Sequence, residues 1–185
     1  MKVSKTSLIY LVVLVVAASV YRVIDRPMGF APQIAIALFC GMVIKNRFWA
    51  FALPIISMFL SDVLYQVLFL AGLSSIEGFY SGQVTNYLLL ASVALIGFIF
   101  RKVTVVNIII GSLIAPTYYF LVSNFAVWMG SGGYQHPKTF AGLMQTMEDA
   151  LPFYRGSLMA TFFFSAIFFS VYYFVKKAEK KVSVA

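Results

Sequence analysis

Phe48–Leu70 reads FWAFALPIISMFLSDVLYQVLFL, an unbroken apolar run with one charged residue, Asp62. A helix crossing the hydrocarbon core of a bilayer needs about 20 such residues. The run is helical in length and lacks the alternation of an outer-membrane strand. It therefore predicts an all-α, polytopic membrane protein. The rest of the chain agrees: 62% of residues are hydrophobic and only 11% are charged, where a soluble domain carries about 25% charged residues.

Working outward, five further apolar segments predict a bundle of six transmembrane helices. The expected spans are 6–21, 30–44, 48–70, 85–100, 103–123 and 152–175. Several are short, which implies short or tilted helices. Lys2 and Lys5 before Leu8–Val20 imitate a secretory signal. The apolar stretch continues through Tyr21, so an uncleaved first span is expected. With 185 residues, one transmembrane domain accounts for the whole sequence.

Charge placement predicts orientation. Lys2, Lys5, Lys45, Arg47, Arg101, Lys102, Lys176, Lys177, Lys180 and Lys181 all fall at one end of the expected bundle. The positive-inside rule makes that end, and both termini, cytoplasmic. Five acids (Asp25, Asp62, Glu77, Glu148 and Asp149) fall toward the other end. The net charge of +8 is therefore a topology signal, and no nucleic-acid partner is expected. Cys40 lies in an apolar run and reads as a buried packing thiol.

The connections expected at the cytoplasmic end, Lys45-Asn46-Arg47 and Arg101-Lys102, are minimal. Those at the outer end, Arg22–Gly29, Ala71–Val84 and Trp128–Leu151, are longer, and loops carry function disproportionately. Asp62 lies roughly 22 Å along its helix from Arg47, in the outer third of the core. A charge there costs at least about 2.5 kcal/mol and calls for a partner. Arg22, Arg26 and Arg155 are the candidate partners, and a ligand or proton site is the alternative. Tyr65 and Gln66 share the helical face of Asp62. Arg22 and Arg26 precede a stiff Pro/Gly segment. Arginine suits carboxylate or phosphate recognition, because its fork donates two parallel hydrogen bonds.

Ser123–Ser157 interrupts the apolar sequence for longer than an ordinary connection. Asn124 and Trp128 share a face at the end of the fifth span. Gly130-Ser131-Gly132-Gly133 reads as a hinge. Phe140, Leu143, Met144, Met147 and Leu151 at helical spacing predict an amphipathic helix over 139–150, with Thr139 as its N-cap. That helix would lie on the membrane surface or fold over the bundle as a lid, with Glu148 and Asp149 near Arg155. No serine, cysteine or histidine constellation suggests a hydrolase. No phosphate-binding loop occurs, and one histidine rules out a multi-histidine zinc site within the chain. No catalytic residue, metal or cofactor is expected.

RPMGFAPQIAIALFCGM (26–42), LSD (60–62), SNFAVW (123–128), Tyr134 and HPKTFAGLMQTMEDALPFYRGSL (136–158) resemble an uncharacterised family of small bacterial inner-membrane proteins. That family is similar in turn to the substrate-binding (S) components of energy-coupling-factor (ECF) vitamin transporters. Its polar pattern falls on Arg26, Pro27, Phe30, Pro32, Asp62, Asn124, Trp128, Tyr134, Thr139, Gly142, Pro152 and Phe153. Gly29 and Cys40 depart from it, as does Arg155, which stands close to where asparagine is usual.

The resemblance implies a multi-pass protein of the bacterial inner membrane that takes up a small organic micronutrient, a vitamin or cofactor precursor. The ligand would bind near the outer face. The expected substrate-binding residues are Arg26, Asp62, Asn124, Trp128, Tyr134, Glu148, Phe153 and Arg155. The implied partners are the small-molecule substrate, the lipid bilayer and an energising membrane subunit with ATPases. The alternatives are a structural or assembly subunit of a larger membrane complex, and a small intramembrane enzyme acting on a lipid-linked substrate.

Overall fold

The computed structural model of the protein describes residues 5–130 and 136–182. Among them the chain forms seven helices: α1 (Lys5–Val23), α2 (Gln33–Val43), α3 (Arg47–Leu70), α4 (Gln83–Ile99), α5 (Val105–Met129), α6 (Phe140–Asp149) and α7 (Leu151–Val182). Arg47–Leu70, Val105–Met129 and Leu151–Lys180 are long and apolar enough to cross a membrane. Ile9–Val23, Gln33–Val43 and Gln83–Ile99 are apolar but shorter. Helix length alone therefore carries three crossings, and does not carry the expected bundle of six.

The fold is organised around α2. Its sequence, QIAIALFCGMV, has no polar face, and a helix apolar all round belongs in an interior. Every residue from Gln33 to Met42 is buried, including the free thiol of Cys40. Helices α3, α4, α5 and α7 pack around it, and α1 touches it more lightly. Phe39 is the hub of this core. The rings of Tyr10, Phe168, Phe169 and Tyr172 meet it edge-on, with centroids 5.1–6.2 Å away. Such T-shaped pairs add about 0.5–1.5 kcal/mol each beyond area burial.

Small residues set the closest helix approaches, as is usual where backbones touch. A Cβ on Gly41 would stand 2.2 Å from the Ala94 carbonyl oxygen. One on Gly97 would stand 2.6 Å from the Leu38 oxygen. The α2–α4 crossing is thus a backbone contact. The α1–α3 crossing uses serines: Ser19 Oγ lies 2.7 Å from Val15 O and 2.8 Å from Ser57 O.

The loop before α2 is pinned against α7. Gly29, at φ +70°, would place a Cβ 2.2 Å from the Phe153 oxygen, and one on Gly156 would meet the Met28 oxygen at 1.9 Å. This fixes the segment before α2 onto the start of α7. On the outward surfaces of α1, α5 and α7, large apolar side chains stand exposed, among them Val12, Val13, Ile109, Leu113, Phe163 and Ile167.

Candidate functional site

Asp62 is 1% exposed and lies where α1, α3 and α4 meet. Its Oδ1 pairs with Arg22 Nη1. Its Oδ2 accepts from Gln83 Nε2 at 2.7 Å and from the Tyr87 hydroxyl at 2.6 Å. Of the three arginines with which sequence could pair it, Arg22 is the one. Both carboxylate oxygens are occupied and its charge is cancelled.

The surrounding groups hold this arrangement in place. Arg22 Nη1 also donates to Ser61 Oγ at 2.8 Å. Its guanidinium carbon lies 5.6 Å from the centroid of the Tyr65 ring. The Tyr65 hydroxyl donates to the Arg22 carbonyl at 2.6 Å, tying the end of α1 to α3. Gln66 Oε1 accepts from Gly78 N at 3.1 Å and Phe79 N at 3.4 Å, which folds the α3–α4 loop back onto α3. Only a glycine fits at 78, because a Cβ there would stand 1.9 Å from the Asp62 carbonyl oxygen. The Gly78 carbonyl then accepts from Gln83 Nε2 at 3.1 Å and steadies the amide that serves Asp62.

Arg26 stands beside this network without being spent by it. One Nη donates to the Tyr65 hydroxyl at 3.3 Å and to Ile24 O at 3.4 Å. Its Nε is buried and has no hydrogen-bond partner among the described residues. Among the described residues no carboxylate pairs with it. With Arg22 and Asp62 neutralising each other, Arg26 keeps one desolvated donor unused among the described residues. A buried donor left unsatisfied costs about 1–3 kcal/mol.

A second cluster forms at the junction of α5, α6 and α7. Asn124 is buried and donates to Phe120 O in its own helix at 2.7 Å. Trp128 Nε1 donates to Pro137 O at 3.0 Å. Lys138 Nζ donates to the last carbonyls of α5, at Met129 and, at 2.8 Å, Gly130. Thr139 caps α6 by accepting from Gly142 N at 3.2 Å. His136 Nε2 pairs with Asp149 Oδ2 at 2.7 Å and closes the segment onto the far end of the helix. Glu148 and Arg155 are exposed, and among the described residues neither forms an ion pair. Phe153 is 46% exposed. Tyr134 and most of the glycine hinge, residues 131–133, lie outside the described residues.

Replacing Thr139 by alanine removes the α6 cap and costs that helix about 1 kcal/mol. Hydrogen–deuterium exchange should quicken roughly fivefold over 140–149, with no change in α2. Unchanged exchange there would show that tertiary contacts alone hold the helix.

The expected site residues thus fall into two groups. Arg26 and Asp62 belong to the α1/α3/α4 network, and Asn124, Trp128, Glu148, Phe153 and Arg155 to the α5/α6/α7 junction. Among the described residues α6 contacts α5 and α7 but neither α3 nor α4, so it does not cover Asp62. Sequence reasoning missed Gln83 and Tyr87 as site members. The signal was there: both are polar, four apart on one face of an apolar helix.

These features define an all-helical protein with membrane-length apolar helices and a buried, charge-paired polar network. Residues 2–183 match a family of unknown function, DUF6580, and the chain belongs to that family. No curated protein and no solved structure matches it.

Proposed function

We propose that the chain is a membrane-embedded, substrate-binding subunit for uptake of a small organic micronutrient, in the manner of ECF S components. Helices α1–α5 and α7 would cross the bilayer, with α6 at the outer face. The shorter α2 would be completed by residues 27–32, which pack on α7. The exposed apolar surfaces of α1, α5 and α7 support this placement, since a soluble monomer rarely exposes large apolar patches. The grouping of basic residues at one end supports the orientation.

The observation that carries the binding reading is Arg26, whose buried Nε has no partner among the described residues, beside an Asp62 whose own partners are complete. Under this reading Arg26 anchors the ligand and Asp62 holds the scaffold. Asn124 and Trp128 would line the opposite wall. Energy would come from a partner subunit.

Native mass spectrometry of the purified protein tests the reading. A small molecule should be retained, and Arg26→Ala should lower its occupancy about tenfold or more. Arg26→Lys should fail to restore it, because an ammonium does not reproduce the fork. The melting temperature should hold, since the hydrogen bonds of Arg26 to described residues, to Ile24 O and the Tyr65 hydroxyl, are both long. The reading is lost if no small molecule is retained and a deletion strain shows no uptake defect across a vitamin panel.

The saturated bonding of Asp62 favours a second reading, an assembly subunit of a larger membrane complex. Arg26→Ala separates the two. Transport lost with folding intact points to the binding subunit, and a complex that still forms and functions points to the scaffold.

A further inference from the structure

Helices α5 and α7 are joined at one end and parted at the other. Near the start of α7, the Thr117 and Tyr154 hydroxyls lie 2.9 Å apart and the rings of Phe120 and Tyr154 stack at 4.8 Å. Toward the basic end of the molecule a cavity of about 720 Å³ separates them. Its walls include Ile108, Ile109, Phe162, Ala166, Phe169 and Tyr173. On α7 the lining runs from Phe162 to Lys176, roughly 21 Å at 1.5 Å per residue. The space follows the two helices over that length.

Its mouth is polar and cationic. Thr104, Val105 and Lys176 line it. Val105 opens α5, whose first turn carries no acid, so the positive end of that helix is uncompensated by its own residues. Lys176 is positioned there by Glu179, 2.8 Å from its Nζ, and by the Tyr172 ring, 5.9 Å away. Arg101 and Lys102 immediately precede α5, and Lys177 and Lys180 follow on α7. Deeper, Ser112 lines the cavity, is fully buried, and its Oγ has no partner among the described residues.

We propose that this groove holds an anionic phospholipid of the cytoplasmic leaflet, one acyl chain between α5 and α7 and the phosphate at Lys176 and the α5 N-terminus. The inference rests on the membrane placement proposed above and is independent of the outer-face site. Basic pockets between helices on the cytoplasmic side suit anionic headgroups. The long apolar walls suit a chain lying along the bundle. The ester carbonyls of a glycerolipid are acceptors of the kind Ser112 lacks. A partner helix fits less well. Helix-packing faces favour small residues, and this lining is mostly large.

The test is native mass spectrometry of detergent-extracted full-length protein with added phosphatidylglycerol or phosphatidylcholine of identical chains. Phosphatidylglycerol should be retained on about fivefold more molecules. Ala166 is exposed in the groove, so Ala166→Trp should fill it and remove that excess. Lys176→Gln, at a partly exposed side chain, provides a second variant if the tryptophan lowers the melting temperature. It should abolish the preference and leave phosphatidylcholine unchanged.

Equal retention of both lipids, or full retention by both variants, overturns the proposal. So does a co-purifying polypeptide, in place of lipid, that Ala166→Trp displaces. Protein recovered in solution without detergent would defeat the membrane placement itself. Membrane-extracted protein without lipid preference would defeat only this site.

Discussion

Replacing Arg22 by leucine lowers stability by about 3–5 kcal/mol, the cost of leaving a buried charge without its partner. Asp62 is 1% exposed, and Gln83 and Tyr87 supply hydrogen bonds but no countercharge. For a chain of this size the loss is a fall of roughly 6–20 °C in melting temperature, measurable by thermal unfolding in detergent. Adding Asp62→Leu should recover at least half of it, since well-packed apolar residues often replace a buried ion pair without net cost. Gln83 Nε2 still donates to the Tyr87 hydroxyl at 2.8 Å in that variant, although the hydroxyl's own proton loses Asp62 as its acceptor. A double variant as unstable as Arg22→Leu alone would mean that the network's hydrogen bonds, rather than its charges, hold α1 to α3 and α4.

The second large effect lies at the α2–α4 crossing. Gly41→Ala puts a methyl group 2.2 Å from a backbone oxygen, and Gly97→Ala puts one 2.6 Å from another. Neither obstacle is a side chain that can swing away, so the helices must separate. Each change should cost about 1–3 kcal/mol, and Gly41→Leu should leave no folded protein. The two alanines should be sub-additive by at least about 0.5 kcal/mol, because one separation accommodates both. Gly111→Ala is the control: it meets only the Leu38 side chain, at 3.1 Å. Its cost should stay below about 1 kcal/mol. If all three behave alike in thermal unfolding, the close backbone contact does not limit stability.

The helices were legible because composition and periodicity are local signals. Phe140, Leu143 and Met147 repeat with the helical period, and Thr139 precedes them. The structure has α6 over Phe140–Asp149 with that threonine as its cap. The partner of Asp62 was not legible. Arg22, Arg26 and Arg155 have the same chemistry, and only the packing of α1 against α3 separates them. Likewise, Asp149 stood near Arg155 in sequence, yet it pairs with His136, because α6 folds back on its own entry segment. The role of Gly78 was hidden too, since nothing local announces that its neighbour in space is the backbone of Asp62.

The burial of α2 also sets an order for making the protein. This 11-residue helix has its neighbours later in the chain, in α3, α4, α5 and α7. At 5–20 residues per second, synthesis from the end of α2 to residue 175 takes roughly 7–26 s. Over that interval Phe39 has emerged, while the rings of Phe168, Phe169 and Tyr172 that enclose it have not. Under the proposed membrane placement, the nascent chain would shelter α2 in the insertion machinery or in lipid until its last helix arrives.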